Sequence, residues 1–321
     1  SIALALASGV GPQAGIFTAI VAGFVISAFG GSSVQIAGPT AAFATIVAGI
    51  VAQDGLDGLV ISTILASIFL ILMGLCHFGS LIKFIPYTIT TGFTSGIAVT
   101  IVIGQLKDFF GVTYPNGLKP IETMEKLNAF ALGFSSFHVD ALIVGGVSLA
   151  ILIISPYIFK RIPGSLIAVV IGILMVKFLP LHVSTIGNLY TITNDLPSFH
   201  IPAVKFSMVK SSIPNAFTIA VLAAIESLLS CVVADGMING KHRSDTELVA
   251  QGLGNIASAL FGGIPATGAI ARTAANIKNG GRTPVAGMVH SITLVIVLVV
   301  LMPFAGMIPM PTIAAILFVV A

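Results

Sequence analysis

The sequence predicts an all-α polytopic membrane protein built as an inverted repeat. Three observations predict it. The 321 residues are 56% hydrophobic and only 8% charged, with a mean hydropathy of +1.10, whereas an ordinary globular domain carries about 25% charged residues. Two helix-breaking segments stand far apart, Phe29-Gly30-Gly31 with Gly38-Pro39-Thr40 and Phe261-Gly262-Gly263 with Pro265-Ala266-Thr267-Gly268. Each interrupts an apolar stretch and is followed by small residues that can restart a helix. Basic and acidic residues, finally, segregate onto alternate loops. The 34 Gly and 16 Pro fit a bilayer, where neighbouring helices satisfy backbone groups freed by a break.

In chain order, apolar spans run over 12–29, 35–53, 57–76, 86–106, 140–158, 163–181, 213–235, 247–261, 267–278, 284–303 and 308–321. A spanning helix needs roughly 20 residues, so the spans beginning at 35, 247 and 267 are short, broken or tilted. Residues 1–9 read as the tail of a helix that begins before Ser1, and the chain stops inside an apolar run at Ala321. A fragment of a longer protein is therefore expected. The stretches 111–139 and 182–212 are irregular loops, with turn signals at Pro115-Asn116-Gly117 and Asn194-Asp195-Leu196-Pro197.

One set of loops carries Lys83, Lys160, Arg161, Lys241, Arg243, Lys278 and Arg282; the other carries Asp54, Asp57, Glu122, Glu125, Asp140 and Asp195. Lys107, Lys119, Lys126, Lys177, Lys205 and Lys210 fall on the acidic side, mostly in or beside its two long loops, which weigh less in setting orientation. The first set is assigned to the cytoplasm. The alternation holds only if the spans at 35 and 267 each cross the membrane once.

Several classes are excluded. The net charge of +3 is too slight to point to nucleic acid. Cys76 and Cys231 are too few for a disulfide framework and are expected as buried small hydrophobes. His138, His182 and His200 lack ligand spacing and are expected to be solvated, so no metal is expected. No constellation of nucleophile and base supports an enzyme, and no cofactor is expected beyond a coupling ion, H⁺ or Na⁺.

The chemistry falls inside the membrane. Glu226 and Arg272 are ionisable residues well within apolar spans, with His290 a weaker case. Glu226 lies roughly 20 Å along its helix from Ile213, near mid-bilayer, and Arg272 follows the Pro265-Ala266-Thr267 break by about one and a half turns. An intramembrane charge costs at least about 2.5 kcal/mol and marks a substrate or ion pathway by default. A helix beginning at mid-membrane directs unpaired N–H groups and its positive dipole end inward. Two such ends facing each other form an anion trap, and matched broken segments are the sequence signature of a carrier's binding site.

The substrate-binding candidates are accordingly Thr40, Ala41, Ala42 and Phe43 at the first tip, and Thr267, Gly268, Ala269, Ile270 and Arg272 at the second. Cation coupling is assigned to Glu226, with Ser227 beside it and Ser230 one turn on. The plainer alternatives are a structural Glu226–Arg272 pair and two proline kinks lined with small residues for packing. The GxxxG spacings Gly11/Gly15 and Gly92/Gly96 read as close helix packing.

These residues also carry a family resemblance. The stretches from Ala7 to Ile16 and from Gln35 to Thr40 resemble the first and third helices of the sulfate permease (SulP) family, relatives of prestin and pendrin. Ile225-Glu226-Ser227-Leu228-Leu229-Ser230, and Gly263 to Thr273 followed by Asn279-Gly280-Gly281-Arg282-Thr283-Pro284, resemble its eighth and tenth helices. The match covers essentially the whole chain and is strongest to bacterial members. It implies a fourteen-helix, seven-plus-seven inverted repeat divided into core and gate domains that move in an elevator-like cycle. It also implies an anion site between half-helices three and ten, cation coupling at Glu226, and Arg272 lining the site. Helices one to four map to 1–76 and eight to eleven to 213–303, forming the core. Helices five to seven, 80–181, begin the gate, and helix twelve, 308–321, starts its second half. The family's polar contribution from helix one falls before Ser1; helices thirteen and fourteen and the STAS domain are absent.

The expected activity is secondary active transport of a small inorganic or carboxylate anion (sulfate, bicarbonate or a C4-dicarboxylate), with proton symport favoured and sodium coupling open. An uncoupled anion channel or motor of the same fold and a uracil-permease-like nucleobase carrier are the alternatives. The expected setting is the bacterial inner membrane, with the lipid bilayer and, in the full-length protein, a second copy of the chain as partners.

Overall fold

The computed structural model describes residues 1–80, 87–115, 118, 120–158, 163–202 and 206–321. Lys83, Lys119, Lys160, Arg161 and Lys205 of the charge argument, and the Asn116-Gly117 turn, lie outside the described residues. The chain is helical: α1 (Ile2–Ala7), α2 (Pro12–Phe29), α3 (Ala44–Leu75), α4 (Tyr87–Phe110), α5 (Thr123–Gly133), α6 (Val139–Ile158), α7 (Gly164–Phe178), α8 (Ile186–Leu189), α9 (Phe206–Ile238), α10 (Ser244–Leu260), α11 (Ile270–Lys278), α12 (Pro284–Ala305) and α13 (Met310–Val320). Among the described residues, α2, α3 with the 3₁₀ turn preceding it, α6, α9 and α12 are each long and apolar enough to cross a membrane. The only strands among the described residues are the two-residue β1 (Ala37–Gly38) and β2 (Thr267–Gly268).

Two compact units divide the chain. The first comprises Ser1–Thr91 and Asp195–Val300, the second Gly92–Asn194 and Leu301–Ala321. In the first unit the core is built from Phe43, Val47, Leu59 and Leu70 around α3, and from Ala216, Ile219, Ala220 and Ala223 on α9 with Leu248 of α10. The alanines let the backbones of α3 and α9 approach closely, the means by which helices associate where lipid removes the hydrophobic drive. Gly55, at φ 70° and ψ −170°, breaks α3. Sequence spans 35–53 and 57–76 are thus the two sides of that break, with the first helix starting only after Pro39.

In the second unit Leu152 of α6, Ala168 of α7, Ala314 and Ala315 of α13 and Phe109 of α4 form a separate core, reinforced by a 2.9 Å hydrogen bond between the Ser148 and Thr312 hydroxyls. Residues 184–186 run beside 308–310, with Ile186 N donating to Ile308 O at 3.0 Å and Met310 N to Ser184 O at 2.9 Å. The loops read from sequence contain helices the pattern did not reveal. α5 lies in the first and starts with a capping box between Glu122 and Glu125; α8 and the first turns of α9 lie in the second. Cys231 is buried as expected, but Cys76 is exposed, because it caps the end of α3 rather than continuing its packed face. His138, His182 and His200 are all exposed.

Candidate anion site

Both breaks lie in the first unit and meet there. β1 and β2 pair antiparallel, Ala37 opposite Gly268 and Gly38 opposite Thr267. Ala269 N extends the pairing by donating to Ile36 O at 3.0 Å, and Ile36 N donates to Thr273 Oγ1 at 3.0 Å. Non-helical backbone at membrane depth must satisfy its polar groups within the protein or line a watery cavity. Here each extended segment satisfies part of the other.

A half-helix leaves each segment. The first begins with the 3₁₀ turn Ala41–Phe43 and continues in α3 to the break at Gly55; its α-helical part, 44–54, is about 16 Å long at 1.5 Å per residue. The second is α11, whose nine residues span about 14 Å. Each is about half of the ~30 Å hydrocarbon thickness. Neither N-cap side chain bonds its own helix, so the first-turn N–H groups, which helix geometry leaves without intrahelical acceptors, are available to a ligand.

The polar side chains around this junction are ordered by specific bonds. Arg272 Nη2 donates to Pro39 O at 2.9 Å, tying the second half-helix to the proline of the first break. Its Nη1 is buried and has no hydrogen-bond partner. A Cβ at Gly38 would collide with that same Nη1, so any side chain there requires the guanidinium to move. Gly38→Ala is accordingly expected to displace Arg272 and weaken anion binding at least as much as loss of one charge-assisted hydrogen bond does, about tenfold. Anion titration of the purified variant checks this.

Glu226 on α9 accepts a 2.7 Å hydrogen bond from Thr40 Oγ1. Its neighbour Ser227 shares a 2.7 Å hydrogen bond with Thr267 and accepts from Gly268 N at 3.1 Å; Thr267 Oγ1 also donates to Ala223 O at 3.3 Å. One turn on, Ser230 Oγ donates to Thr273 Oγ1 at 3.4 Å. Consecutive turns of α9 thus address the first tip through Glu226 and the second through Ser227 and Ser230. Glu226 and Arg272 are not ion-paired, since the ion pairs among the described residues are His77–Asp245, His182–Asp140 and His242–Asp235.

The structure brings all twelve sequence-derived candidates into one unit, but they do not present the same groups. Phe43 is wholly buried in the core, so it offers a ligand its backbone alone. Gly268 N is taken by Ser227, Ala269 N by Ile36 O and Thr273 N by Ala269 O, leaving the first-turn amides of residues 270–272 as those of the second tip that helix geometry leaves without an intrahelical acceptor. Ala41 and Ala42 lie in the opposing 3₁₀ turn. Among the described residues no group of three or more His, Cys, Asp or Glu could hold a metal.

Sequence reasoning missed the residues that hold the segments in place. Asn255 on α10 bonds Ala266 through both backbone groups, Nδ2 to the carbonyl at 2.9 Å and Oδ1 from the N–H at 2.7 Å. Thr18 Oγ1 on α2 accepts from Ile264 N at 2.7 Å, and Glu247, fully buried, bonds the chain at Gly31 and Ser32. Polar residues at helical spacing within a short apolar span, Glu247, Gln251 and Asn255, were the available signal.

Two breaks paired strand to strand, each followed by a short helix, with α9 bonded to both, are the arrangement of an inverted-repeat membrane transporter fold. The chain belongs to the Sulfate permease family, whose model matches residues 1–321. It is 43% identical over its whole length to "Putative sulfate transporter YvdB" of Bacillus subtilis, covering 60% of that protein. It is 33% identical over 99% of its length to "Bicarbonate transporter BicA" of a Picosynechococcus strain, covering 57% of it. The chain therefore spans well under two thirds of these relatives. Among solved structures, the transmembrane domain of a cyanobacterial bicarbonate transporter BicA superposes with a TM-score of 0.89 at 31% identity, over 99% of this chain and 83% of that one. SLC26A9, at 21% identity, shares the fold with a TM-score of 0.87 over 99% of this chain and 54% of that one. The fold is the seven-plus-seven inverted repeat of these integral membrane proteins, with half-helices at its third and tenth positions.

Proposed function

We propose that the protein is a secondary active transporter of a small oxyanion, coupled to a cation and working by elevator-like alternating access. The observation that carries it is the buried, unpartnered Arg272 Nη1 at the junction of two helix starts. Burying a guanidinium N–H without an acceptor is costly, and an anion drawn to the half-helix dipoles would supply one. The names of the bacterial relatives favour sulfate or bicarbonate over a C4-dicarboxylate. Arg272 and the first-turn amides hold the anion, with Thr40 contacting it or Glu226 by turns. Glu226 carries the coupling proton, or, with the hydroxyls of Ser227 and Ser230, holds sodium.

The division into two compact units supports the moving parts. The segments 1–76 and 213–303, read as a core, fall almost wholly in the first unit, and most of 80–181, with 308–321, falls in the second. The bacterial relatives support a place in a bacterial inner membrane, and the full-length protein is read as a homodimer. Uptake of labelled sulfate and bicarbonate into proteoliposomes, with proton and sodium gradients imposed separately, tests the function. Accumulation above equilibrium under one gradient is expected; flux that never exceeds equilibrium under either gradient would contradict the coupling.

A further inference from the structure

The buried polar face of α10 has no part in the chemistry above, yet it touches both breaks. Glu247, Gln251 and Asn255 stand on successive turns of one face, about 12 Å from first to last, and all three are buried. Four donors converge on the Glu247 carboxylate. Gly31 N at 2.8 Å and Ser32 N at 3.2 Å reach Oε2; Gln35 Nε2 at 2.6 Å and Gln251 Nε2 at 2.9 Å reach Oε1. A carboxylate accepts only, so it satisfies all four.

Gln35, so held, is a wedge. Its Oε1 accepts from Cys231 Sγ at 2.9 Å, and its amide lies against Gly268 so closely that a Cβ there would overlap it. Gly268 is the residue that pairs with Ala37. Eight residues along the same helix face from Glu247, Asn255 clamps Ala266, two positions before Gly268. One rigid helix thus grips the first break at Gly31–Gln35 and the second at Ala266.

We propose that α10 sets the spacing of the two half-helix tips and that Glu247 is a positioning residue for the anion site. Glu247 fixes Gln35, Gln35 fixes Gly268 against Ala37, and the pairing fixes where the first-turn amides and Arg272 point. The inference rests on the anion site proposed above for its functional consequence, but its mechanical half stands alone. An error of about 1 Å in such an arrangement can cost about a hundredfold, so the effect falls on anion affinity although Glu247 touches no anion.

The test uses the full-length protein in proteoliposomes, with sulfate and bicarbonate as probes. Glu247→Ala is expected to raise the KM for the transported anion by about tenfold or more with the maximal rate much less changed. Glu247→Gln should recover part of the affinity, because turning over the Gln35 and Gln251 amides restores the bonds to residue 247 at the expense of the Cys231 bond to Gln35 Oε1. Hydrogen exchange supplies a readout independent of transport: in Glu247→Ala, amides of residues 264–270 should exchange faster, although Glu247 bonds none of them. Unchanged KM, or faster exchange confined to residues 31–35, would overturn the proposal. Should Glu247→Ala not fold, Gln35→Ala is read the same way, and unchanged KM and exchange at 264–270 overturn it. If wild type carries neither anion, the transport reading fails while the exchange pattern still decides whether α10 positions the tips.

Discussion

Glu226→Gln is expected to leave a folded protein that binds anion and exchanges it across the membrane but no longer accumulates it. The carboxylate on α9 accepts from Thr40, at the start of the first half-helix. Any cation it binds, proton or sodium, is thereby felt at the proposed anion site. A glutamine keeps the size and one carbonyl acceptor for Thr40 yet cannot release a proton or neutralise a cation. Accumulation in proteoliposomes should fall to the equilibrium level under every imposed gradient, while anion exchange between the two sides persists. Accumulation at the wild-type rate with an unchanged response to the pH and sodium gradients would remove Glu226 from the coupling.

Arg272→Ala is expected to weaken anion affinity by about ten- to a hundredfold, the loss of a hydrogen bond between charged groups with its buried setting. Arg272→Lys should fall between. The guanidinium spends Nη2 on Pro39 O and leaves Nη1 buried without an acceptor, open to the proposed ligand; an ammonium, a compact point charge, cannot hold both in that geometry. Titration of the purified protein with sulfate or bicarbonate measures this. Equal affinity in wild type and Arg272→Ala would reduce Arg272 to a latch between the second half-helix and Pro39.

How much of this was legible in the sequence varies with the range of the interaction. α2 runs from Pro12 to Phe29, as read, because a proline in the first turn and a glycine pair at the end are local signals. The two breaks were legible for the same reason. The pairing of Ala37 with Gly268 was not, since 231 residues separate the partners and a two-residue strand has no periodicity to detect. α5 escaped because its 11 residues form a short, mixed helix beside turn signals. Glu247 escaped because it opens the span 247–261, where a charge ordinarily stands at a solvated helix end. Its role shows only when Gly31 and Ser32 are brought to it across the fold. The direct Glu226–Arg272 pair, weighed as a plain structural alternative, is not formed; each residue instead bonds the chain around Pro39 and Thr40.

The central claim is that an anion lies at the meeting of the two half-helices, and substrate protection of single cysteines tests it most directly. In a cysteine-free background, cysteines are placed at Ala42, in the 3₁₀ turn of the first tip, and at Ile270, the first residue of α11, one at the start of each half-helix. Leu298, wholly buried in α12, is the control. A small water-soluble thiol reagent should label the Ala42→Cys and Ile270→Cys proteins, and sulfate or bicarbonate should slow both reactions while leaving Leu298→Cys unaffected. Labelling of both tips at the same rate with and without either anion would contradict the account and leave the paired breaks as packing kinks.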